Sequence, residues 1–400
     1  MKITTAIKTP LIYCRYLFKR YFVNKCHRNY YLSSNLFLQR VSQNNMTFFG
    51  YYNVSPENNE KKIVYCSQDD TTQVNLYIKD EHQDKIIGKT SSFNLQQGCM
   101  EQWGYTYTNN LYYNRFNKDS MSYQAVCHNI KTGNEQIYPL PIYSLSKQED
   151  FYLSLNFERL AQMRPDYGYF CREVNELPDD SEDGIWRVDM ESKKVRLIIN
   201  LQQLKEINPD ETMKGALHKV NHIDISPDGK RFMFLHRWVG PMGRYMRLIT
   251  ANSDGSGIYI LNGDKMTSHS YWMDSNHIVS FCYTAKYSNA YVVFEDKTDN
   301  VKKLSDKLPT KDGHPSTFGD WMITDTYPDL ARSSNLLLYN MRTDDMIELG
   351  KFYQPLRYNG TERIDLHPKW NMDGSRIYFE SGHNGMRNLY YIDVSKFVKR

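Results

Sequence analysis

Four of the eleven histidines, His222, His269, His314 and His367, occupy one position of a recurring pattern. Imidazole is the commonest side-chain metal ligand and titrates near neutral pH. A histidine repeated at equivalent places therefore predicts a metal or acid–base site wherever the copies converge. The plain alternative is a repeat histidine that only ties neighbouring units together. A second set of reactive side chains falls later in each unit: His236-Arg237-Trp238 with Arg244 and Arg247, then Tyr327 within TDTYPD, then His383 with Arg387, with Arg115 in an earlier copy. Guanidinium groups pair carboxylate or sulfate through two bonds, so this set points to an anionic ligand. Gln97, in LQQGCMEQW, is a neutral donor that either faces the same place or belongs to an ordinary loop.

The elements that must position these residues are short strands. The clearest unit is HIDISPDGKRFMFLHR, whose Ser226-Pro227-Asp228-Gly229 is a turn between two apolar runs. Proline presets φ at the second turn position and glycine accepts a positive φ. RLITANSDGSGIYIL supplies two further strands. The frame recurs at Tyr51, Met100, Ile142, His222, His269, His314 and His367. Four antiparallel strands repeated seven times predict an all-β, seven-bladed β-propeller over residues 47–400. One interval is long and implies an insertion at about 156–185. WVGPMGRYM reads as a second, shorter one. The last unit lacks an outer strand, and NLFLQRV at 36–42 is expected to supply it and so close the ring. In such a ring the first strand of each blade lines the channel, and the anchor residues and the loops between second and third strands share one mouth.

Hydrophobic residues make up 40% of the 400 and charged residues 24%, a globular composition. The net charge of +4 argues against nucleic acid as a partner. Residues 1–46 form a basic extension: no Asp or Glu precedes Glu57. The extension lacks an uninterrupted apolar core and a small-residue cleavage site. The seven cysteines include no CxxC pair. Together these features lead to the expectation of a cytoplasmic protein. The extension is then either a packing arm or a contact to a membrane surface or protein partner. Phosphate-cradling glycine loops, GxSxG elbows and HExxH motifs are missing from the sequence, so no nucleotide cofactor is expected.

Blades with SPDG turns and histidine anchors resemble the TolB-like propellers. GHPS, TDTYPD and DLHPKW…DGSRIYFES more narrowly resemble the oligogalacturonate lyase type, and the ulvan lyase propellers more distantly. The resemblance implies a manganese ion at the channel mouth, held by histidines and a glutamine, with an arginine as base. Carried onto this chain, it implies a divalent metal (manganese, zinc or calcium) on His269, His314 and His367, with Gln97 or Gln102 standing for the glutamine.

The expected function is therefore a polysaccharide or oligosaccharide lyase that cleaves a uronate-containing chain by β-elimination. Arg237, Arg247 or the metal would neutralise the uronate carboxylate. His222 or His236 would take the α proton, and Tyr327 would protonate the leaving oxygen. Arg115, Arg244, Trp238, His383 and Arg387 would bind the anionic saccharide. The alternative is a propeller without catalysis that binds a glycan or protein during surface-polysaccharide synthesis.

Overall fold

The computed structural model describes residues 12–23, 28–68, 70–81 and 83–398. Seven antiparallel sheets follow one another along the chain, and within each the strands pair in sequence order, except that a strand from the N-terminal extension joins each of the last two sheets. A channel cavity of about 310 Å³ is lined by the first strand, or the residues flanking it, of all seven sheets, from Tyr52 and Gln102 through Asp224 and Tyr271 to Asn371. The protein is thus the expected seven-bladed propeller. Each blade is packed on both faces, so its middle strands are apolar on both sides. In blade four, Phe232, Met233, Phe234 and Leu235 are all buried. Buried ion pairs staple neighbouring blades, as where Arg231 of blade four donates to Asp296 of blade five at 2.8 Å.

Closure follows the expected route. Gln39–Arg40 pairs with Asn388–Asp393 and supplies the fourth strand of blade seven. A second device was not foreseen: Tyr30–Leu32 adds a fifth strand to the outer edge of blade six, against Asp345–Tyr353. The extension therefore straps two blades.

The large insertion lies between the second and third strands of blade three, after Phe151–Leu155 and before Gly184–Asp189. It opens with a helix, α1 (Phe157–Met163), whose first amides are capped by the Asn156 side chain. The tight turn Pro165–Tyr167 follows. Gly168 is required where the chain returns over α1, because a Cβ there would meet the Ala161 backbone at 2.1 Å. WVGPMGRYM is not an insertion. Arg231–Gly240 and Gly243–Asn252 pair without a break as far as Gly240 opposite Gly243, so this stretch is a continuous hairpin.

Candidate functional site

A local backbone device turns the anchor histidines inward. In blade four the ladder slips between Asn221 and Asp224, and His222 has a φ of 53°. In blade five it slips between Thr267 and Ser270, around His269. His367 likewise has a φ of 45°. Such bulges re-aim a side chain that strict alternation would place elsewhere.

The four imidazoles converge as expected. Ring centroids lie 5.6 Å apart for His222 and His269, 3.9 Å for His269 and His314, and 4.3 Å for His314 and His367. Tyr51, the anchor of blade one, packs against all four at 5.1–6.4 Å. Tyr52 lies behind it, its hydroxyl donating to Ser270 O at 2.6 Å. The two tyrosines form a floor between the histidines and the rest of the channel.

Two of the imidazoles are backed by carboxylates. His314 Nδ1 lies 2.8 Å from Asp325 Oδ1, and His269 Nδ1 lies 3.2 Å from Asp312 Oδ1. Burial pushes the pKa of His314 down, but Asp325 outweighs it and leaves it above the ordinary value. For His269, burial and the neighbouring His314 win and the pKa falls. Burial likewise holds His222 and His367 well below the usual range.

His314, Asp365 and His367 offer ligand atoms that all lie within 4.8 Å of one another. The donor set fits a divalent cation. His314 Nε2 and both ring nitrogens of His367 are buried without a hydrogen-bond partner. The Nδ1–H of His314, held by a carboxylate, is the usual outer support of a metal-bound imidazole. Asp365 itself is oriented by Arg363, whose Nε donates to it at 2.8 Å. Of the four residues expected as ligands, His314 and His367 thus stand together with Asp365. His269 is adjacent but outside this group. Gln97 is outside it too: it donates to the Tyr143 hydroxyl at 2.9 Å, and that hydroxyl receives the His222 amide.

Beside the histidines is a patch of unbalanced positive charge. Arg237 is 8% exposed, has no ion-pair partner among the described residues, and leaves its buried Nε unbonded. Lys219, 3% exposed, stands opposite it across the strand pair and has no carboxylate on its ammonium among the described residues. Burial, then Arg237 and Arg164, push the Lys219 pKa down to about 7. The insertion delivers Arg164, Asp166 and Tyr167 onto the same place. Tyr167 packs on His222 at 5.5 Å, and Asp166 pairs with Arg164 and Arg363. Tyr327 closes the other side, 5.8 Å from His314, and burial raises its pKa well above 10.

Several expected residues lie elsewhere. His236, Trp238 and Arg247 share the blade face opposite to Arg237, since side chains alternate along a strand. His236 bonds His218 at 2.9 Å, and Arg247 donates to His236 and to Ile207 O at the end of the helix α2 (Leu201–Glu206). Trp238 donates to Thr212. These three build a buried packing network. Arg115 pairs with Glu135 on the outer strand of blade two, away from the channel. His383 is enclosed by the rings of Tyr30, Phe352 and Tyr390, and burial pushes it down to about 4. Arg387 is fully buried on Glu380 and the carbonyl of Leu95. Arg244 alone of the expected binding residues is exposed at the rim, near enough to Lys219 to lower its pKa.

No protein-family model matches the chain, and no curated protein sequence does. Solved structures do. An oligogalacturonate lyase from Vibrio parahaemolyticus superposes with a TM-score of 0.64 at 15% identity, over 92% of this chain and 97% of that one. An oligogalacturonate lyase in complex with manganese gives 0.66 at 16% identity, over 93% and 97%. The tricorn protease gives 0.52 at 10% identity, over 89% of this chain and 35% of its own length. The chain shares the lyases' propeller fold over nearly its whole length.

Proposed function

We propose that the protein is a metal-assisted lyase acting on a uronate-containing oligosaccharide. The observation that carries this reading is a buried Arg237, with no acidic partner among the described residues, beside a His314–Asp365–His367 donor set. The named activity of the structural neighbours supports it. A divalent cation, held by His314, Asp365 and His367, would act as a Lewis acid on the uronate carboxylate.

The remaining roles belong to this chain's own groups. The Arg237 guanidinium binds the uronate carboxylate, so charge that develops on it during deprotonation meets a fixed cation. Lys219, its pKa pushed to about 7, is partly neutral near pH 7 and takes the proton from the carbon α to that carboxylate. The electron pair left behind forms a carbon–carbon double bond as the glycosidic carbon–oxygen bond breaks. Tyr327, which keeps its proton at neutral pH, donates it to the departing oxygen. The Tyr51–Tyr52 floor keeps the reacting end of the chain at the mouth. Lys219 takes the base role expected of His222 or His236: His236 is spent on His218, and His222 is packed between the rings of Tyr51 and Tyr167.

The deciding experiment pairs metal analysis of the purified protein with an ultraviolet scan during incubation with uronate oligosaccharides. Bound divalent metal with rising absorbance, from the unsaturated product, is the expected result. Saccharide binding without absorbance change on any member of the panel would leave a glycan-binding propeller instead.

A further inference from the structure

The extension that closes blade seven also carries a surface the propeller does not use. Residues 12–17 are helical and run into the π-helical stretch Phe18–Val23. One side is pinned to blade six. Tyr16 stacks on Tyr353 at 6.0 Å, and the buried Arg20 lies over the same ring at 3.7 Å. The other side presents Ile12, Tyr13, Phe18 and Phe22, which are 59%, 49%, 57% and 72% exposed. Phe18 and Phe22 stack on each other at 5.6 Å. Further along the strap, Tyr31 and Phe37 are 54% and 76% exposed. Of the nineteen large apolar side chains exposed among the described residues, eight fall between Ile12 and Phe37. Isolated exposed apolar residues are ordinary, but a concentration of this kind marks a contact surface.

Charge selects what the surface contacts. Arg15 and Lys19 stand among the aromatic residues, Arg28 and Arg40 follow, and no acidic residue precedes Glu57. Rings that enter the acyl boundary with cations at headgroup level match an anionic bilayer. No helix of the described residues is long and apolar enough to cross one, so the contact lies along the surface. Its position is also telling. Tyr353 ends the fourth strand of blade six, and the segment after it leads to Asp365 and His367 at the channel mouth. Leu330, 57% exposed, sits in the loop whose Arg332 donates to Gln354 next to Tyr353.

We propose that the outward face of residues 12–22, extended by Tyr31 and Phe37, docks the propeller on an anionic lipid surface with its mouth end toward the bilayer. The inference stands whether or not the site is a lyase.

The test is cosedimentation of the full chain with vesicles of phosphatidylcholine alone or mixed equally with phosphatidylglycerol. Binding is expected to the mixed vesicles and not to the neutral ones, and to fall as salt is raised. The double variant Phe18→Asp/Phe22→Asp should bind about tenfold more weakly, or not at all, with an unchanged unfolding temperature. Arg15→Glu/Lys19→Glu should weaken binding too, which keeps the test open if the first variant misfolds. Met346→Asp, an exposed apolar site elsewhere, should bind as wild type. No binding to mixed vesicles, or undiminished binding by both double variants, would overturn the proposal. So would a self-associated wild type that the Phe variant makes monomeric without altering vesicle binding, which would assign the surface to a second copy.

Discussion

The Asp325 carboxylate grips His314 twice through the same oxygen: the His314 backbone N–H donates to Oδ1 at 2.8 Å, and ring Nδ1 lies 2.8 Å from it. The other oxygen accepts the His367 amide at 3.2 Å. One buried acid thus sets the position of two of the three proposed ligands. Gly313 makes the approach possible, because a Cβ there would lie 2.0 Å from Asp325 O. Asp325→Asn keeps the shape and removes the charge. The His314 pKa should fall, and divalent metal affinity should drop about 10–100-fold. Metal titration by calorimetry reads the loss, with the thermal transition as a check on folding.

Removing a proposed ligand is a sharper change. Asp365→Ala takes the only carboxylate out of the donor set and leaves Asp166 as the one ion-pair partner of Arg363 among the described residues. Stoichiometric metal should disappear from the purified protein, and turnover should fall by about 100-fold or more. Retention of full metal content would move the site away from these residues.

The ring of blades and its closure were legible because turn chemistry and strand alternation are local. The convergence of four anchor histidines was legible for the same reason. What failed was the assumption that WVGPMGRYM is a loop. With Arg231–Gly240 and Gly243–Asn252 paired to their ends, alternation sends Arg237 to the site and His236 away from it. Lys219 and Arg363, three and four positions ahead of an anchor, carry no motif, and Asp365 within DLHPKW joins the site only because the chain ahead of His367 turns its carboxylate toward His314. Arg164 and Tyr167 reach the mouth only through the path of the insertion, which spacing along the chain does not reveal.

The base assignment carries a pH signature. Lys219 is faced by Arg237, Arg164 and Arg244, which lower its pKa, and by Asp166, which raises it. A base must be neutral, so kcat/KM should rise with pH through about 7 and then level. Lys219→Met should abolish that limb together with turnover. The folded-state pKa lies below that of the unfolded chain, so the unfolded state binds more protons between the two values. Lys219 therefore weakens the fold below about pH 7, and its burden fades as pH rises toward the ordinary lysine value. At pH 7 the Met variant should be more stable by about 2–4 °C in Tm. A Met variant that is active, or one less stable than wild type, would remove Lys219 from this role.

Closure of the ring can be separated from the rest of the extension. Deleting residues 1–35 removes Tyr30–Leu32 from blade six but leaves Gln39–Arg40 on blade seven. Deleting 1–45 also uncovers the edge of Asn388–Asp393 and takes away the buried Val41. An unpaired edge invites association with other chains. The shorter deletion should stay soluble, with a modestly lower Tm. The longer one should aggregate or lose cooperative unfolding, as read by size-exclusion chromatography and calorimetry.

His236 and Arg247 test whether the separation of packing from chemistry in blade four is real. Arg247 ties the carbonyls at the end of α2 to the blade through His236, which in turn bonds His218. None of these groups reaches the His314–Asp365–His367 set or Arg237. His236→Ala leaves the Arg247 Nε–H and one nitrogen of His218 without partners in a buried place. It should cost about 1–3 kcal/mol of stability. The kcat/KM of the folded protein should stay within about twofold of wild type, with the pH limb assigned to Lys219 unchanged. Arg237→Ala should give the opposite result: stability equal or improved, since an unpaired buried cation is removed, and turnover lost. If instead His236→Ala abolishes turnover at full stability, the reacting groups lie on the other face of the blade, and the arrangement proposed around Arg237 is wrong.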